Sequence, residues 1–509
     1  TAGTLPVKDC RRAPRIMQGN ATMNPDAGAV EFSQYTVVNS NATGAGSFAN
    51  AVSQVNANAT PAPYYIDFII PAPTPILLGA TLTINNPVII DGYIQSGSQI
   101  GGPGNVLNSL TSLTPIIILD GSGATTNGII LGNTAINSFI SGLNIHGFVN
   151  NGIVIGGASG CKIHGNMVHS NGTHGIEIQG AAGSNTIGDT SLYSINMISN
   201  NTARGIYINN SPSNTIKNNL VGTDQIGTTI FGTQAVGIEI SGVAATGNLI
   251  GGVSHFFQGN ILSGNTAHQV FINASANANT VSGNKFGLTY NGQNSLSSAA
   301  ANGVTISASN NTIGGTTLGR NNIICGQGGA GIFINGGTSN SIFKNNIGYS
   351  PIAAVSIANT TGILISGTST GNTIGASNGR NYISGNSGNG VRISSGAGGN
   401  TLTNNFIGIS ELNNAIGNAG YGIFIETGSN GNAIGTALGG NYISSNGNSG
   451  IGISSSRNNS LLNNTIGLDS SRTLMRSNTV HGIEINNGAN TQVGGNFVCF
   501  NLGKGIEIV

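Results

Sequence analysis

The side chains best suited to chemistry gather in one stretch: His146, His164, His169, His174 and Glu177. Clustered imidazoles are common donors to a transition metal, and an imidazole beside a carboxylate is a common acid–base pair. Their spacing follows a repeat. Aligning Gly152 with Gly175 gives His146 and His169 the same repeat position, so they should sit one strand spacing apart. His174 and Glu177 fall about two strand steps further on, with Arg204, Tyr207 and Glu239 on the following repeats. A plainer reading competes with this one. Glu177, Tyr207 and Glu239 alternate with apolar residues and would simply face water. The pattern recurs at His481 with Glu484 and at Lys504 with Glu507, which favours the plainer reading. His146, His169, His174 and Glu177 therefore stand as a possible ligand or metal patch, with no metal and no cofactor assigned.

Other chemistries are thinly supplied. Polysaccharide lyases and hydrolases need paired carboxylates, or a carboxylate-bound Ca²⁺ with a basic proton acceptor. The chain has 15 acidic residues in 509, and Asp91-Gly92 and Asp120-Gly121 read as turns. Sugar platforms want aromatic faces, and the chain is 5% aromatic with no Trp. Phe231, Phe256, Phe257, Tyr290, Tyr349 and Tyr421 are the rings that fall in insertions, where they would either line a groove or pack loops onto the body. The expectation is a protein that is not an enzyme, with a glycan as the possible ligand.

Charge and composition narrow the partners. Only 6% of residues are charged and the net charge is +1, so no global field steers the chain to nucleic acid or an anionic membrane. No run approaches the ~20 apolar residues of a membrane-spanning helix. Cys10, Cys161, Cys325 and Cys499 are too few for a disulfide scaffold and lack metal spacing, so buried thiols are expected. A surface of Asn, Ser, Thr and Gly suggests an exported protein numbered after a removed leader. Chance Asn-x-Ser/Thr triplets at Asn20, Asn41, Asn58, Asn171 and Asn359 leave glycosylation undecided.

The elements that must position these residues are set by repetition. Gly-Ile-x-Ile recurs from Gly152–Ile155 to Gly505–Ile508, with starts 23 to 34 residues apart and a weak copy at Val270–Ile272. A second short strand (Asn-Thr-Ile-Gly at 185–188, 311–314 and 372–375) and a third (Tyr382–Ser384, Tyr442–Ser444) lie between copies. Each alternates apolar and polar residues, and Gly and Asn supply the corners. Three short strands per repeat read as coils of an all-β, right-handed parallel β-helix solenoid of about 14–15 coils over 81–509. A longer period of 59 to 65 residues pairs the coils, one with a long insertion (223–236, 288–302, 349–361, 409–420, 468–481), the other with a short one. In register, each set should line one edge as a wall. Residues 35–80 form the opening segment, where Phe48, Val52 and Val55 behind Ser47 make a short capping helix.

These Asn-rich coils resemble the right-handed parallel β-helix repeat proteins that bacteria secrete. Thr36–Val52 is similar to their opening motif and cap helix, departing from it at Phe48 and Ala49, where Leu and Arg are usual. Pro14–Glu31 resembles the closing element such proteins carry after their last coil, here placed within an N-terminal extension, 1–34. The resemblance implies a surface structural or adhesive protein. The misplaced closing element implies that residues 1–34 add to the open last coil of a neighbour, either in a head-to-tail filament or in a longer tandem chain, the alternative being that they fold back on their own rod. Cys10, Ile16, Val30 and Phe32 would meet Cys499, Ile506 and Ile508. The alternative is a polysaccharide-binding or polysaccharide-degrading β-helix, although no segment resembles the aspartate-pair or Arg-x-Lys signatures of pectin-degrading members.

Overall fold

The computed structural model describes residues 34–58, 63–99, 102–103, 110–123, 126–189, 195–252, 259–296, 300–317, 319 and 321–509. Three parallel sheets of 16, 15 and 15 strands run its length. Each coil visits them in the same order, as Thr186–Ile187, Asn196–Ser199 and Arg204–Asn209 do for the first, second and third sheets. Strands paired in parallel through such crossovers wind right-handed, and at ~4.8 Å per rung the body is a rod roughly 70 Å long.

Inside, alternate residues of every strand stack on their equivalents. Ile153, Ile176, Ile206 and Ile238 pair in register and are fully buried, each contributing roughly 1.5–3 kcal/mol by leaving water. The glycine before each such strand is there for space. A Cβ on Gly205 would lie 2.7 Å from the Gly237 carbonyl oxygen and 2.7 Å from Gln234 Nε2. At the other corner Gly222 is needed twice over, with φ +89 and a Cβ that would meet Ser263 O at 2.1 Å.

The corners themselves are files of buried amides. From Asn166 to Asn496 one Asn per coil passes a side-chain hydrogen bond forward, as Asn322 Nδ2 to Asn345 Oδ1 (2.9 Å) and Asn345 Nδ2 to Asn381 Oδ1 (3.0 Å). A second file runs through Asn171, Asn201 and Gln234 to Asn501, and a third from Asn185 to Asn459. The same Oδ1 atoms accept backbone N–H groups that the bends leave without a strand partner, as Asn166 N to Asn196 Oδ1. Asn171 and Asn359 belong to these files and are buried, so their triplets are not accessible for glycosylation.

The helix Phe48–Ala57 covers the first coils. Ser47 Oγ accepts from Asn50 N, and Phe48, Ala51, Val52 and Val55 face the core, with Phe48 against Phe68 at 5.3 Å. Each long insertion is a small hairpin between the second and third sheets, closed at Thr223–Ile230, Leu288–Ser295, Tyr349–Ser356, Ile409–Ala415 and Leu468–Met475. Successive hairpins touch despite the coil between them, as Tyr290 N to Gly227 O (2.8 Å) and Ser350 Oγ to Gly292 O (2.8 Å). Cys161 and Cys325 are buried free thiols whose pKa values burial pushes up to about 11 and about 12. Among the described residues no helix is long and apolar enough to cross a membrane.

Candidate functional site

The chain turns at buried Asn171, so the histidine group is divided among faces. His146 and His169 pair in register on the second sheet, rings stacked at 5.1 Å and 20°. Phe231 from the first hairpin closes on His169 edge-first at 5.5 Å. Burial, and then the neighbouring His146, hold the His169 pKa down to about 4. His164 lies at the first sheet with its ring edge against Phe139 at 4.3 Å. His174 and Glu177 stand on the third sheet. The single patch expected from sequence is thus two sites, because the Asn171 corner intervenes. Among the described residues no three His, Cys, Asp or Glu side chains converge as a metal would need.

Two adjacent columns build the third-sheet site. The first is the residue before each corner glycine, or before Gln269 in its place: Asn151, His174, Arg204, Val236 and His268. The second is the outward residue between the two buried apolar ones: Glu177, Tyr207, Glu239, Phe271, Thr305 and Phe333. Corner glycines such as Gly175 bend the strand and let both columns face outward side by side. The His174 ring lies 5.0 Å from that of Tyr207, and the Arg204 guanidinium lies 4.5 Å over the same ring. Arg204 Nε donates to Glu239 Oε2 at 2.5 Å, and Asn273 Nδ2 donates to Glu239 Oε1 at 3.2 Å. Glu177 is held by Asn151 Nδ2 (2.9 Å) and Asn209 Nδ2 (3.5 Å).

These contacts assign different capacities. Glu239 is 2% exposed and fully engaged, so it orients Arg204. Glu177 is half-buried and carries the accessible carboxylate. His174 is 6% exposed, and its buried Nδ1 has no hydrogen-bond partner among the described residues. Burial, and then the Arg204 charge, lower the His174 pKa to about 4, so the ring is neutral at neutral pH and can accept a hydrogen bond. His268 is shifted down by burial and meets Thr305 Oγ1 at 3.0 Å.

Sequence reading missed His268, Phe271, Asn151 and Asn209. The pre-glycine position, read down the repeat, shows Asn151 directly, whereas His268 precedes Gln269 and not a glycine. Of the insertion rings, Phe231, Tyr290 and Tyr349 pack onto the rod. Tyr421 instead stacks on Phe424 at the third sheet, and Phe256 and Phe257 lie outside the described residues. For the expected docking contact, Cys499 is half-buried and Ile506 and Ile508 are exposed on the last rung. Cys10, Ile16, Val30 and Phe32 lie outside the described residues.

No protein-family model matches the chain, and no curated protein is similar to it. Among solved structures it is similar to the A-module of the mannuronan C-5 epimerase AlgE6 of Azotobacter vinelandii, at 12% identity and TM-score 0.38, over 91% of this chain and 98% of that one. It is also similar to the DFA-IIIase of Arthrobacter chlorophenolicus A6 in complex with GF2 (19% identity, TM-score 0.32, 61% of this chain and 66% of that one). A third match is the catalytic domain of a GH87 α-1,3-glucanase in complex with tetrasaccharides (12% identity, TM-score 0.31, 93% and 68%). Each is by its name an enzyme, against the expectation from sequence of a protein that is not one. The architecture of this chain is a right-handed parallel β-helix solenoid with an N-terminal capping helix.

Proposed function

We propose that the chain is a polysaccharide-active β-helix that engages its substrate on the outer face of the third sheet. One observation carries the reading: His174, neutral and with a buried unpartnered Nδ1, stands against Tyr207 on the strand that bears the accessible carboxylate of Glu177. A ring for the sugar face, a carboxylate held by two amides and a neutral imidazole are the parts that acid–base chemistry on a glycan uses. Glu177 is the proton-transferring carboxylate, His174 accepts a hydrogen bond from a sugar hydroxyl, and Arg204, fixed by Glu239, positions Tyr207. The uncharged Asn/Ser/Thr surface suits work outside the cell, where such polymers are met.

The test is incubation with a panel of neutral and acidic polysaccharides. New reducing ends and ultraviolet absorbance of unsaturated sugar ends are read for the wild type, Glu177→Gln and His174→Gln. Turnover of one polymer that falls at least a hundredfold in both variants supports the assignment. Undiminished turnover in both variants moves the chemistry elsewhere, and no turnover of any polymer overturns it.

A further inference from the structure

Half-exposed aromatic rings stand on alternate rungs of the third sheet: Tyr207, Phe271 and Phe333. Between them lie Glu239 and Thr305, only 2% and 4% exposed. The rings are therefore the part of this column that solvent meets. With rungs ~4.8 Å apart, successive rings are roughly 10 Å apart along the rod. An extended hexose polymer turns the same side of its sugars outward every second unit, at a comparable spacing. Aromatic faces with polar groups beside them are the usual partners of such a surface, and here Arg204, His268 and Thr305 flank the rings.

A second ring pair lies further along the same face, on the seventh rung after Tyr207. Tyr421 and Phe424 stack at 4.5 Å and 12°. The outward residue of the next rung is Gly452, where a Cβ would fall 2.6 Å from the Tyr421 ring and 2.9 Å from Phe424. A strand glycine at an outward position normally weakens the strand; here it makes room for the rings. Tyr421 Oη donates to Glu484 Oε2 at 3.2 Å, and Ser449 Oγ donates to the same oxygen at 2.9 Å.

Charge selects among polymers. The strands of this sheet carry Glu177, Glu239, Glu426, Glu484 and Glu507 against two cations, Arg204 and Arg392. Both cations are already paired, with Glu239 and Glu426, at 2.5 Å. Glu507 is paired with Lys504, so a polyuronate laid along this face would meet the uncompensated carboxylates of Glu177 and Glu484.

We propose that this face binds an uncharged polysaccharide chain lying parallel to the rod axis, with Tyr207, Phe271 and Phe333 as stacking contacts for every second sugar and Tyr421–Phe424 as a distal contact. The proposal rests on the glycan reading above and sets its substrate class. Affinity electrophoresis tests it in gels containing hydroxyethyl cellulose, glucomannan or linear α-glucan, and in gels containing alginate or polygalacturonate. The variants are Phe271→Leu and Phe333→Leu, which keep apolar bulk; Leu364 already occupies the rung after Phe333, and matched melting curves verify folding.

Retardation by a neutral polymer, with the apparent affinity weakened roughly two- to tenfold in each variant, is the expected result. Neutral-polymer binding that neither variant disturbs overturns the stacking contacts. Retardation by the polyanions alone, abolished by salt, overturns the substrate class and leaves the glycan reading standing. No retardation in any gel overturns both.

Discussion

Arg204 reaches forward one rung to Glu239, Nε to Oε2 at 2.5 Å, while its guanidinium lies 4.5 Å over the ring of Tyr207 on its own strand. The two side chains are 28% and 3% exposed, so the carboxylate depends on this partner far more than the guanidinium does. Arg204→Met should cost about 3 kcal/mol in chemical denaturation by leaving a buried charge unpaired. The double variant Arg204→Met with Glu239→Leu should recover most of that loss. Arg204→Lys should not rescue, because a lysine cannot both stack on the ring and present Nε to Oε2.

The amide files predict a graded cost. Asn345 accepts from Asn322 Nδ2 and donates to Asn381 Oδ1 and to the carbonyls of Ile313 and Phe343. Asn345→Ala leaves buried polar atoms unpaired on both sides and should cost about 3 kcal/mol. Asn345→Asp keeps the acceptor but loses every donor and buries a charge, so its denaturation midpoint should be lower still.

Glycine substitutions should separate space from backbone conformation. Gly205→Ala drives a methyl against the carbonyl of the next coil at 2.7 Å, and an unyielding backbone makes this cost about 3 kcal/mol or more. Gly180 has φ +69 and open space around it, so Gly180→Ala should cost only about 1 kcal/mol of left-handed strain. Thermal melts of the two variants check the order.

Buried ionisable groups set the pH profile. His174 and His169 titrate near 4 in the fold against 6.5 when free. The unfolded chain therefore binds more protons in that window, and stability should fall as pH drops from 6.5 toward 4. His174→Gln should flatten its share, on the order of 3 kcal/mol at most. Lys285, covered by Tyr290 and donating to its carbonyl, is lowered to about 8 by burial. Stability should rise with pH from about 8 to 10.5, and Lys285→Met should remove that rise; urea titrations across pH measure both.

The regular part of the molecule was legible because one physical pattern repeats in it. Ile176 and Ile178, two residues apart, must both point inward, as must Ile206 and Ile208 and then Ile238 and Ile240, and Gly175, Gly205 and Gly237 must precede them because the next coil leaves no room for a Cβ. That pattern also fixed which of Glu177, Tyr207 and Glu239 face outward. It failed where a residue breaks the rule. Gln269 stands where the glycine belongs, and its amide bridges Asn265 and Gln327 across a coil that offers no Asn. The weak copy therefore hid His268 and Phe271. The division of the histidines was hidden for another reason: the six residues from 169 to 174 cross a corner at which Asn171 reaches Asn201 on the next coil.

All three amide files point the same way. In the file from Asn166 to Asn496 each side-chain NH₂ gives its forward hydrogen to the following coil without a break, and the other two run the same way with breaks, at Gln327 in one and at Asn279 and Asn311 in the other. Parallel strands contribute little net dipole, but these side-chain amides add head to tail and polarise one another. The rod is consequently an electret: a solid body with a built-in electrical direction running from its capping helix toward its last coil, independent of its nearly zero net charge. In an applied field it should orient along its axis, and transient electric birefringence would read that alignment as a permanent moment that shrinks when one file is interrupted.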